Sequence, residues 1–327
     1  MVDASVFGAA MQHCGQNQWW AGLLEIWRQK EQLCMSFFCI QQSICLNALA
    51  CCLRCDRTQI STSQLSERKG TALALAKVVF QERSPQTRYE FNCILSASLK
   101  LCHMSGTDEA FQWSAEILNW SESQPFDKTI VSYATILIVL EKQGRYVDVE
   151  DILDNVLPSS GELQPNEVVL GGLLSCAADV RDWERADRLW EMLVTRRGVQ
   201  PHALAYDAYA KAHFLAARPI MAVAIMQKMF DAGVDQTSYR HAVNYLQYVL
   251  VACYASGCTL FRRRLTRHIA KWSQSIARES STTGKLNWHQ LTRAADKLLS
   301  EKDEIQLTDA LVTYPAREQS VMKDWTD

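Results

Sequence analysis

The sequence predicts an all-α solenoid of about six to seven antiparallel helix-pair repeats. Three observations carry that reading. Residues 131–236 fall into consecutive blocks, VSYATILIVLEKQGRYVDVEDILDNVL, VVLGGLLSCAADVRDWERADRLWEMLV and LAYDAYAKAHFLAARPIMAVAIMQKMF, each holding two apolar-periodic segments joined by a short break. Tyr133, Leu170, Tyr206 and His241 occupy equivalent places, 37, 36 and 35 residues apart. The connecting segments also match: LQPNEVVL at 163–170, VQPHALAY at 199–206 and VDQTSYRH at 234–241. A helix pair at this period cannot bury its apolar face alone and must stack on copies of itself.

Taken in order, residues 3–16 read as a first helix with Phe7 in the anchor place, and 19–29 (WWAGLLEIWRQ) as its partner. Trp20, Leu23, Leu24 and Trp27 recur at helical spacing, which is the pattern of a core face. The second unit has Leu46 as anchor in SICLNALACCLR, then a polar stretch, CDRTQISTSQLSERKG, too long for a tight turn and read as an insertion or an extended helix end, then TALALAKVVFQE. The third has Phe91 as anchor, a long break LCHMSGTD, and a second helix from Asp108 to Trp120. Three regular units follow. Asn166 and Asp127 are cap-competent residues ahead of apolar runs. Gly198 and Gly233 stand where left-handed helix ends are expected, and Pro219 stands at a helix start. Past His241 come a long apolar segment, a basic amphipathic segment FRRRLTRHIAKWSQSIA, one further helical stretch at 286–300 and an acidic tail. The expected organisation is one continuous solenoid: 1–129 degenerate repeats with insertions, 130–240 three regular repeats, 241–301 a terminal repeat and capping helix with a basic face, and 302–327 a short tail.

These blocks resemble the pentatricopeptide repeat family, whose unit is a 35-residue antiparallel helix pair. The resemblance is carried by the anchors in VSYATIL and LAYDAYA, by a small residue sixteen positions later (Ala186, Ala222, with Val149 in the block before), and by the GVQP-type linker. It is best over about 130–241. The tetratricopeptide period of 34 residues fits less well. The resemblance implies a right-handed superhelix whose first helices line a surface for single-stranded RNA. It also implies that the residue after each anchor, with the one four before the next anchor, reads one base. Carried onto this chain, these pairs are Gly8 with Gln42, Asn47 with Thr87, Asn92 with Thr129, Ala134 with Asn166, Gly171 with His202, and Asp207 with Thr237. Family members prefer Asn, Thr or Ser at the first place and Asp or Asn at the second. Only Asn47, Asn92 and Asn166 supply half of a preferred pair.

Bulk properties limit the alternatives. Hydrophobic residues make up 48% and charged residues 21% of 327 residues, ordinary for a folded chain, and the formal net charge of −2 gives no overall steering toward nucleic acid. No apolar run is long enough for a membrane span. The opening MVDASVFGAAMQHC has neither the charge pattern of a secretory signal nor the Arg-rich look of a transit peptide. A mitochondrial or plastid location is implied by the resemblance alone. The 12 cysteines sit in apolar helical patterns and read as reduced and buried. Cys52 and Cys55 have zinc-like spacing, but without a second such pair they read as helix packing. With no phosphate loop, HExxH or GxSxG present, no enzyme, cofactor or metal is expected.

Phosphate contacts are sought five and eight residues after each anchor, and only Arg54 and Lys211 there are basic. The stronger positive charge lies between Thr237 and Ser300, where ten Lys and Arg face two acids. Arg263, Arg267 and Lys271 recur every fourth residue and share one side of a helix. The expected function is a non-enzymatic RNA-binding adaptor in organellar RNA processing, stability or translation, holding RNA mainly by backbone or shape. The alternative is a protein-interaction scaffold without RNA contact.

Overall fold

The computed structural model describes residues 4–33, 37–54, 60–157 and 161–234, together with Tyr248. Among these residues all regular structure is helical and no strand occurs. They fall into two compact units, one ending at Pro165 and the other beginning at Asn166.

The first unit holds four helix pairs: α1 (Ala4–Gln16) with α2 (Trp20–Gln32), α3 (Cys39–Cys52) with α4 (Thr62–Gln81), α5 (Arg88–Ser105) with α6 (Asp108–Glu122), and α7 (Ile130–Lys142) with α8 (Tyr146–Asp151). The second holds α9 (Glu167–Asp179) with α10 (Trp183–Trp190), and α11 (Ala203–Leu215) with α12 (Pro219–Asp231). In the first unit α1 packs on α3, α3 on α5 and α5 on α7; in the second α9 packs on α11. A first helix therefore meets its own partner and the first helices on either side. That is why segments such as IVSYATILIVL are apolar almost all round. The anchors form the axis of this packing: Leu46, Phe91 and Leu170 are fully enclosed, each contributing roughly 1.5–3 kcal/mol by burial. Val149, Ala186 and Ala222, sixteen residues after their anchors, are also fully enclosed.

Parts of the two long breaks are helix. Residues 62–70 are the start of α4, where Ser61 and Gln64 form a reciprocal capping box. LCHMS continues α5 to Ser105, leaving Gly106 in the left-handed region at φ 60° and Thr107 as the cap of α6. Asn166 caps α9 by accepting from the amides of Val168 and Val169. Asp127 caps nothing: Thr129 holds that place for α7. The second helices of two regular repeats each end in a π-helical turn, Ile152–Val156 and Glu191–Thr195. Gly198 and Gly233 take positive φ, and Pro219 opens α12. The stretch 241–327, apart from Tyr248, lies outside the described residues.

Candidate nucleic-acid interface

Side chains one, five and nine residues after an anchor follow one another at helical spacing and form a stripe along each first helix. In the first unit this stripe is polar along α5, where hydrogen bonds tie it to α3 and to the start of α7. Asn47 donates to the carbonyl of Ser43 and accepts from Nζ of Lys100 on α5 at 3.1 Å. Lys100 also lies 3.9 Å from Sγ of Cys51. Thr87 is the N-cap of α5, accepting from the amide of Glu90.

Asn92 is buried, and its amide is engaged on every side. Nδ2 donates to the carbonyls of Arg88 at 2.8 Å and Asp127 at 2.9 Å. Oδ1 accepts from the amide of Thr129 at 2.8 Å and from Oγ of Ser132 at 2.6 Å. Two donors and two acceptor sites are all that an amide side chain offers. The paired positions Asn92 and Thr129 are thus brought together and bonded to each other. Ser96 joins the same network, 3.0 Å from the Ser132 hydroxyl. Ala134 is buried in α7. Gln42, the partner position of Gly8, is buried and donates to the carbonyls of Phe37 and Glu82. Gly8 is enclosed as well, with Gln41 and Ile44 beside the place a Cβ would take.

In the second unit Asn166 is engaged as a cap. A Cβ on Gly171 would lie 3.0 Å from Cε1 of His202, so this pair too is adjacent, the imidazole occupying the space beside the glycine. Asp207 is buried. Lys211 is exposed and paired with Asp179 at 3.2 Å, which offsets its charge. Thr237, Arg263, Arg267 and Lys271 lie outside the described residues.

The expected phosphate face needs correction. Residues eight after the anchor do not share an open face with those five after: Gly15, Leu99, Glu141 and Ala178 are enclosed. Three residues advance a helix by 300°, which turns the later position into the neighbouring first helix; four advance it by roughly one turn. Arg54, just past the end of α3, is exposed. The residues nine after the anchor continue the stripe and include two cations that the spacing rule passed over, Lys100 and Lys142. Nζ of Lys142 donates to the carbonyl of His103 at 2.9 Å. A second set escaped the sequence reading. Tyr89, Val131, Val168 and Leu204 each stand two residues before an anchor, and all are exposed. The signal was present in the sequence as an apolar residue in each first turn.

Burial pushes the thiols of Cys45 and Cys102 up to about 12, which makes them inert packing residues. Among the described residues no three His, Cys, Asp or Glu side chains converge as metal ligands, and no helix is long and apolar enough to cross a membrane.

No family model and no curated protein matches the chain. Among solved structures it is similar to the pentatricopeptide repeat protein PPR10 from maize, with 13% identity and a TM-score of 0.40. That likeness covers 94% of this chain and 51% of the maize chain, so the chain spans about half the length of that protein.

Proposed function

We propose that this chain is a non-enzymatic helical-repeat adaptor that binds single-stranded or structured RNA through backbone and shape, in RNA processing, stability or translation of the kind pentatricopeptide proteins carry out in organelles. The observation that carries it is the stripe of the first unit. Lys100 and Lys142 recur at one position on adjacent first helices, with Arg54 exposed at the end of α3. An ammonium has three donors, so Lys100, bonded to Asn47 and weakly to Sγ of Cys51, and Lys142, bonded to the His103 carbonyl, still present N–H groups to a phosphate. Tyr89, exposed in the first turn of α5, offers a ring on which a base stacks without regard to sequence, and Val131 in the first turn of α7 adds exposed apolar surface. The basic stretch between Thr237 and Ser300 adds charge of the same sign.

The test is a salt series with two unrelated single-stranded RNAs, on the wild type and on the double variant Lys100→Gln/Lys142→Gln. Glutamine keeps the helix propensity. Affinity should fall similarly for both RNAs, and the salt slope should drop by about 1.4, roughly 0.7 for each lost phosphate contact on single strands. Arg263→Gln/Arg267→Gln/Lys271→Gln serves as a parallel arm. Absence of binding by the wild type at low salt would remove direct RNA recognition.

The second reading is a protein-interaction scaffold, and one observation favours it. The pair Asn92–Thr129 is bonded to itself, and Ala134 and Asp207 are buried. Partners that survive nuclease treatment of an extract, together with an unresponsive salt series, would support it.

A further inference from the structure

His213, on α11, is fully enclosed. Its Nε2 lies 3.0 Å from Oδ1 of Asp187 on α10, and the Tyr209 hydroxyl donates to the same oxygen at 2.6 Å. A carboxylate only accepts, so the imidazole proton in this contact sits on Nε2. Nδ1 is enclosed with no hydrogen-bond partner. Arg218, in the turn before α12, lies 3.6 Å over the Trp183 ring and is near enough for its charge to act on Asp187. Trp183 flanks His213 at 6.0 Å, and Trp190 stacks on Tyr209 at 4.5 Å. On α9, Asp179 is turned to Lys211 instead. Groups from one helix pair, α11 and the turn into α12, thus converge on a single carboxylate of the preceding pair.

We propose that Asp187 is a proton-operated joint between consecutive helix pairs of the second unit: ionised, it holds α11 against α10; protonated, it releases that hold. Its side chain is 40% exposed while His213 is shut in, so a proton reaches the carboxylate without prior unfolding. Burial alone would push this carboxyl up. The bonds from His213 and Tyr209, with the fields of His213 and Arg218, outweigh burial and hold it below the usual value of 3.8. A carboxylate depressed in the folded state stabilises at pH above its unfolded value, and that contribution is lost as pH falls through the folded one. The joint is therefore closed at neutral pH and opens in acid.

Hydrogen exchange on the full chain over a pH series tests this, with α5 and α7 as internal reference. In Asp187→Asn, amides of α10 and α11 should exchange on the order of tenfold faster at neutral pH, after allowance for partial exposure. The difference from wild type should shrink below about pH 4. A pH-independent difference, or wild-type protection in the variant, would overturn the proposal. Tyr209→Phe removes one donor and leaves the ring stack, so it keeps the test open if Asp187→Asn misfolds. It should move acid opening of α10 and α11 to higher pH, and an unmoved opening would also overturn the proposal.

Discussion

Replacing Asn92 by alanine separates a structural amide from a base-reading one. Asn92 makes four hydrogen bonds, but they are not equal when lost. The Ser132 hydroxyl keeps Ser96, and the Asp127 carbonyl keeps Nε of Arg88 at 3.3 Å. The Arg88 carbonyl keeps its place in the helical ladder of α5. The Thr129 amide is the one group left without its partner, at about 1–3 kcal/mol, and the three weakened contacts add on the order of 1 kcal/mol together. Asn92→Ala should therefore destabilise the first unit by about 2–4 kcal/mol, a large share of a typical domain's 5–15 kcal/mol. Asn47→Ala serves as the control. Asn47 is half-buried, and its partners are a helical carbonyl and a lysine that reaches solvent, so about 1 kcal/mol or less is expected. Urea unfolding read by hydrogen exchange resolves the two units, avoiding a single two-state value for the whole chain. Equal stability of the two variants would mean that the Asn92 amide is not tied between α5 and the entry to α7. That position would then be free to contact a base.

Two further substitutions probe the packing and the turns. A Cβ on Gly15 would lie 2.8 Å from Cα of Ala48, a backbone atom that cannot swing aside. Gly15→Ala should push α1 off α3 and destabilise the first unit by about 1–2 kcal/mol net of improved helix propensity, read as a lower urea midpoint; an unchanged midpoint would refute the close approach. Ala217 holds φ 60° in the turn between α11 and α12, a conformation that costs an L-residue about 1–2 kcal/mol. After the greater chain entropy of glycine, Ala217→Gly should stabilise the second unit by about 0.5–1 kcal/mol; a lower midpoint would mean the turn is not left-handed.

The fold was legible because burial repeats. Phe91 and Leu170 are enclosed for the same reason, so the anchor period predicts the stacking of first helices. Even the turns kept register: Gln18, Gly144, Arg181 and Ala217, each eleven residues after an anchor, all take positive φ, although only one is glycine. Composition left the long breaks ambiguous between inserted loop and extended helix. Residues 62–70 extend α4 past the packed region, mostly exposed, where no neighbour demands apolar residues, whereas LCHMS ends α5 inside the core, with Leu101, Cys102 and Ser105 enclosed.

The site was less legible, and the reason is geometric. A sequence assigns a residue to a face, but not to a partner on the adjacent helix. Asn92 suits a base edge and a buried clamp equally well, and only the entry to α7 decides which acceptors and donors it meets. Lys211 counts as a phosphate contact by spacing, yet Asp179 on the neighbouring first helix stands 3.2 Å away. Lys100 and Lys142 were passed over because five-and-eight spacing leaves the stripe after one step, whereas five-and-nine stays on it. The same step places Asp179 nine residues after Leu170 and Lys211 five after Tyr206. In the first unit the stripe positions thus hold Lys100 and Lys142 bonded to uncharged groups; in the second the equivalent positions hold the ion pair Lys211–Asp179. If RNA is held by this stripe, salt-dependent loss should follow Lys100 and Lys142 and be nearly absent from Lys211→Gln.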